Sequence, residues 1–121
     1  MNTCAQPGRP DDSDPSAASN LSAAIDRLWI RFLPEIRERV GVLDAAAEAC
    51  AASQLTDQQR EAAHAAAHKL AGTLGTFNLA RGTELAREFE LLFAGKENLD
   101  KAIALRLAAS ARQLRALIDS R

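Results

Sequence analysis

Two histidines stand four residues apart, at positions 64 and 68, and the chain has no others. At about 100° of rotation per helical residue, that spacing sets both imidazoles on one face of a helix. With His68 as the origin, Glu61, His64, Gly72 and Gly75 fall within roughly 40° of it. Ala63, Ala67, Leu70 and Leu74 fall between roughly 200° and 260°, the opposite and apolar side. The first set reads as a solvent-facing stripe and the second as a core stripe. An exposed imidazole titrates near pH ~6.5, so at pH 7 it is largely neutral and one ring nitrogen keeps a lone pair for a nucleophilic attack or a metal ion. A glycine inside a helix costs about 0.5–1 kcal/mol relative to alanine. This chain uses alanine 26 times where it wants a small residue. Two glycines on the histidine side therefore forfeit stability, and the physical return is access for another protein's backbone to the imidazole of His68.

The same spacing allows two other chemistries. Imidazoles at i and i+4 can grip one metal ion. The residues between them are alanines, however, and the glutamate that a zinc-protease helix places after its first histidine is absent. Glu61 is a candidate third ligand; Cys4 and Cys50 lie elsewhere in the sequence. Lys69 adjoins His68 about 100° round the helix. Its long stem would have to bend back to offer a cation to an anionic group on the histidine. No glycine-rich phosphate loop is present.

The elements that must hold these residues are helical. Leucine occurs 16 times, valine twice, isoleucine five times and tyrosine never, a composition that favours helices and nearly excludes a β-rich fold. Residues 1–19 hold Pro7, Pro10, Pro15 and the acidic Asp11, Asp12 and Asp14, and read as a disordered tail. Asn20 is an expected N-cap. Leu21, Ile25, Leu28, Phe32, Ile36, Val40, Leu43, Ala47 and Cys50 then form one apolar stripe, interrupted by Pro34, which either breaks or kinks the helix. Thr56 with Gln59 predicts a capping box and a helix from Asp57 to about Gly75. Asn78 is expected to adopt a left-handed conformation in the turn that follows. A further helix spans about Ala80 to Phe93, with Leu85, Phe89, Leu92 and Phe93 inward. Asn98 is the expected cap of the last helix, whose inward seam reads Ile103, Leu107, Ser110, Leu114 and Leu117. Trp29, Phe32, Phe77, Phe89 and Phe93 are expected in the core. Short loops between long amphipathic helices imply antiparallel neighbours. The expected fold is all-α: an antiparallel up-down four-helix bundle over residues 20–121 with an additional N-terminal helical segment.

The string His68-Lys69-Leu70-Ala71-Gly72-Thr73-Leu74-Gly75-Thr76-Phe77-Asn78-Leu79, followed by Leu85-Ala86-Arg87-Glu88-Phe89-Glu90, resembles the histidine phosphotransfer (HPt) domain of bacterial two-component phosphorelays. The family core is a histidine, a hydrophobic residue two on, a glycine four on and a small residue near seven on. A second helix then ends in a hydrophobic–glutamate pattern. The resemblance extends from about Leu28 to the C-terminus and is strongest over residues 67–90. It implies that His68 is the phosphoacceptor, taking a phosphoryl group from the aspartyl phosphate of one receiver domain and passing it to another. His64, Lys69, Ala71, Gly72 and Gly75 are then the positions expected to stabilise the phosphoryl group or dock the partner. Many family members carry a lysine three residues after the histidine, where this chain has Ala71.

The resemblance further implies response-regulator receiver domains and a hybrid sensor histidine kinase as partners. The chain would be a relay intermediate rather than an enzyme, with no nucleotide site or cofactor of its own; the receiver would bring Mg²⁺. Two other readings use the same residues: a docking adaptor without phosphoryl chemistry, and a weak metal-binding bundle built on His64 and His68. A net charge of −1 gives no pull toward nucleic acid. No apolar run is long enough to span a membrane, and the amino terminus lacks a secretory core. A cytoplasmic monomer is expected.

Overall fold

A computed structural model describes residues 15–95 and 98–121. Four helices follow in order: α1 (Pro15–Ala51), α2 (Asp57–Thr76), α3 (Ala80–Ala94) and α4 (Lys101–Asp119). No strand occurs among the described residues. Of the tail expected at 1–19, residues 1–14 lie outside the described residues, and residues 15–19 are helical rather than disordered. The helix thus starts at Pro15 and not beyond Asn20. Proline suits the first turn, where its missing N–H has no intrahelical partner to lose.

α1 runs unbroken through Pro34. The proline ring removes the N–H that would bond to the Ile30 carbonyl. Ile30 is 67% exposed, so water can satisfy that carbonyl and the helix need not end. The chain nevertheless divides into two compact units between Leu33 and Pro34. In the first unit Trp29 is buried, whereas Leu21, Ile25, Leu28 and Phe32 are all exposed by more than a third of their surface. The inward stripe expected from Leu21 therefore holds only from Ile36 onward, and Phe32 is not a core residue. The additional N-terminal segment is the first half of α1 itself.

The second unit, Pro34–Arg121, contains the bundle. Ile36, Val40, Leu43, Ala47 and Cys50 are buried along α1, at the steps of four and three that keep one helix face inward. Arg37 pairs with Asp119 at 2.9 Å, Arg115 pairs with Asp44, and the Cys50 thiol donates to the Leu99 carbonyl at 3.6 Å. Rising numbers on α1 thus meet falling numbers on α4, so the two are antiparallel. Burial pushes the Cys50 thiol above its ordinary pKa, with Arg60 opposing and Asp100 reinforcing the shift. This cysteine is a packing residue and not a reactive one.

α4 shows two corrections. Its cap is Asp100, whose carboxylate accepts from the Ile103 N–H at 2.9 Å, two residues beyond Asn98. Its buried face is Ala104, Leu107, Ala111, Leu114 and Ile118, one residue round from the expected seam. That rotation keeps the Ser110 hydroxyl at the boundary and turns two alanines inward, where a neighbouring helix can come close. The other two ends are as expected. The Thr56 hydroxyl accepts from the Gln59 N–H at 3.0 Å, and the Thr56 N–H donates to Gln59 Oε1 at 2.9 Å. Replacing Thr56 by Ala is expected to cost about 1 kcal/mol, read as a lowered denaturant midpoint with an unchanged slope. At the other end of α2, Asn78 has φ 60°. The Leu79 N–H reaches the Leu74 carbonyl and the Asn78 N–H reaches the Gly75 carbonyl, the pair of bonds that closes a helix on a left-handed residue.

Candidate functional site

The turn at Asn78 sends α3 back along α2. They pack tightly at Gly82, where an added Cβ would lie 3.0 Å from Leu74 Cδ1, so that a side chain there would push Leu74 aside. Farther along, Arg60 donates to the Gly95 carbonyl, which fixes the antiparallel register at the far end. α2 presents Ala63, Ala66, Ala67, Leu70, Ala71 and Leu74 to the interior. Its core side is thus mostly methyl groups, and the pair can pack tightly. His68 lies on the other side, with 71% of its side chain exposed.

That register brings Glu90 of α3 to His68. Glu90 Oε2 is 2.7 Å from His68 Nδ1, and the carboxylate is itself only 25% exposed. A carboxylate can only accept, so the shared proton belongs to Nδ1. The proton on Nδ1 leaves the lone pair of the neutral ring on Nε2. A half-buried carboxylate thus fixes the tautomer and the orientation of an otherwise solvated ring. The position after Phe89, inside the hydrophobic–glutamate pattern, was the only signal of this role in the sequence.

The helix surface one and two turns beyond His68 is open. Nothing lies within 4 Å of a Cβ built on Gly72, and at Gly75 the nearest atom is Thr83 Oγ1 at 3.7 Å. Both glycines are exposed, as their place on the helix stripe predicts. The hydroxyls of Thr73 and Thr76 fold back onto the carbonyls of Lys69 and Gly72 at 3.0 and 3.1 Å, which keeps them on their own helix. Lys69 is exposed on the neighbouring flank.

Ala71 is 5% exposed, and this corrects the expectation that it meets a partner: its methyl group belongs to the core. His64 is half-buried one turn before His68. It borders an open depression of about 510 Å³ with Asp57, Arg60, Glu61, Phe93 and Ala94.

The Hpt domain family model matches residues 27–120. The chain belongs to the Hpt domain family. The match covers α1 from Arg27 onward and all of α2, α3 and α4, the elements that build the bundle and carry the histidine. The role that comes with this membership is phosphotransfer within a two-component phosphorelay. Hpt domains act there as intermediates. This Hpt domain is also 36% identical over 92 residues to Protein RcaC of Microchaete diplosiphon. The aligned region is 75% of this chain and 14% of RcaC, so the chain spans about one seventh of that relative's length. No solved structure matches it. No helix among the described residues is long and apolar enough to cross a membrane.

Proposed function

We propose that this Hpt domain relays a phosphoryl group between receiver-domain aspartates through phosphohistidine at Nε2 of His68. The observation that carries the reading is the 2.7 Å bond from His68 Nδ1 to Glu90 on a ring 71% exposed. Phosphoryl transfer needs mainly positioning and charge stabilisation. The Nε2 lone pair attacks the phosphorus of a receiver's aspartyl phosphate in line with the acyl P–O bond. The P–N bond forms as the P–O bond breaks, and the electron pair leaves on the aspartate. No proton has to depart, because Nε2 carries none. The ring becomes cationic, and the Glu90 carboxylate faces that charge through Nδ1–H. Attack by a second receiver's aspartate reverses these steps. The receivers supply Mg²⁺; this chain supplies a held nucleophile and needs no nucleotide.

Gly72 and Gly75 give a receiver room to reach Nε2, and Lys69 on the adjoining flank offers it a cation. A hybrid sensor histidine kinase bearing a receiver is the donor in this scheme and a response-regulator receiver the acceptor. The relay would run in the cytoplasm, on a monomer whose working domain is residues 20–121.

The test is incubation with a phosphorylated receiver domain. An acid-labile, alkali-stable label on His68 is expected. A label that is stable to acid, or one on another residue, would contradict the proposal. Glu90 acts here as a positioning residue. Replacing Glu90 by Ala is expected to slow acceptance about tenfold or more, in line with other carboxylates that orient an imidazole. Glu90→Gln keeps an acceptor for Nδ1–H and should recover part of the rate. A purely structural role would slow both variants equally and leave the ring tautomer unchanged.

A further inference from the structure

His64 has no part in the relay described above, yet it shares its helix face with His68. The pair is i and i+4, which places their Cβ atoms about 5–6 Å apart. Only Ala65, Ala66 and Ala67 intervene, and Ala66 and Ala67 are buried, so the residues between the two histidines carry nothing larger than a methyl group. Glu90 adds a second and independent feature. An imidazole that ligates a metal characteristically donates its other N–H to a carboxylate, which raises its basicity and aims the free nitrogen. His68 has that arrangement at 2.7 Å, with Nε2 directed away from the carboxylate. Asp57 and Glu61 border the depression beside His64, with Arg60 the only cation lining it.

We infer that His64 and the Nε2 of His68 form a two-imidazole site for a borderline divalent transition ion of the Zn²⁺ or Cu²⁺ class. Imidazole pairs favour these ions over Mg²⁺ or Ca²⁺, which prefer oxygen. Among the described residues no group of three or more histidine, cysteine, aspartate or glutamate side chains could hold an ion. Water therefore completes the coordination, and binding is reversible rather than structural. The site deepens the reading of His68 as phosphoacceptor, and its second consequence rests on that reading. Nε2 has one lone pair, so a bound ion and a phosphoryl group exclude each other. The metal would hold the relay in an unphosphorylated state.

The test titrates the full chain with Zn²⁺ in a buffer free of phosphate, following the imidazole signals of both histidines by NMR. Both rings are expected to shift together with one saturation curve. His64→Ala places the best helix former inside α2 at a half-buried position, so the helix itself is kept. It should weaken binding about a hundredfold, the usual gain from a second tethered ligand. Glu90→Gln should weaken it roughly tenfold. If His64→Ala binds Zn²⁺ as tightly as the native chain, or if the shifts appear at other residues, the site does not exist. Transfer from a phosphorylated receiver is then compared with and without Zn²⁺ in each protein. Inhibition is expected in the native chain and should be lost in His64→Ala. Equal inhibition in both would place the effect on the receiver and overturn the regulatory claim. The binding arm needs no receiver, so a failed relay reading and a failed metal site give different results.

Discussion

Replacement of His68 by Gln is expected to abolish phosphoryl acceptance while leaving the fold unchanged. The ring is 71% exposed and outside the core, so the change in stability should stay within about 0.5 kcal/mol. Glutamine keeps the length and polarity of the side chain, and its amide can still donate to Glu90. It has no basic nitrogen to attack phosphorus. Removing a nucleophile from a preorganised site commonly costs more than about 10³-fold, and here labelling should fall to background. His64 does not take over. It is half-buried one turn away, and the Glu90 carboxylate that orients the acceptor ring lies against position 68. The measurement is transfer from a phosphorylated receiver, run beside a denaturant melt of the same sample. If the partner's regulation survives His68→Gln, the domain is a docking adaptor.

Substitutions at Gly72 should move stability and transfer in opposite directions. Gly72 lies inside α2 and is exposed, and nothing lies within 4 Å of an added Cβ. Gly72→Ala should therefore stabilise the domain by about 0.5–1 kcal/mol, the helix-propensity difference. Gly72→Gln should keep much of that gain, since glutamine is also a good helix former. Its side chain would stand one turn from His68, on the flank a receiver must approach. A misplacement of about 1 Å at the reacting atoms can cost on the order of 10²-fold, so transfer to and from Gly72→Gln should fall by about that factor. Denaturation midpoints and transfer rates measured together decide the matter. If both rise together, the glycine is not an access residue.

Much of this arrangement is legible in the residue order, because it depends on contacts within one helix or across one turn. The Thr56–Gln59 capping box, the left-handed Asn78 and the outward placement of His68, Gly72 and Gly75 all follow from local spacing. Features that depend on how helices meet are not legible in the same way. Glu90 is hydrogen-bonded to His68 across two helices, a meeting that depends on how α3 packs on α2 after the turn at Asn78. Ala71 falls inside because the buried side of α2 is wide enough to include it beside Leu70 and Leu74. Asn98 and Asp100 are both good caps, and two residues' difference in where α4 begins chooses Asp100. The stripe from Leu21 to Phe32 is as apolar as the stripe that follows it. Periodicity states only that a helix has one apolar face; it does not say that the face is covered.

The central claim is a single outward imidazole with its proton held on Nδ1 and its lone pair on Nε2. Long-range ¹H–¹⁵N correlation spectra of the His68 ring, recorded before and after exposure to a phosphorylated receiver, test it directly. The neutral ring is expected to carry its proton on Nδ1, and the phosphoryl group should then appear on Nε2. A phosphoryl group on Nδ1, on His64 or on no histidine would contradict the account.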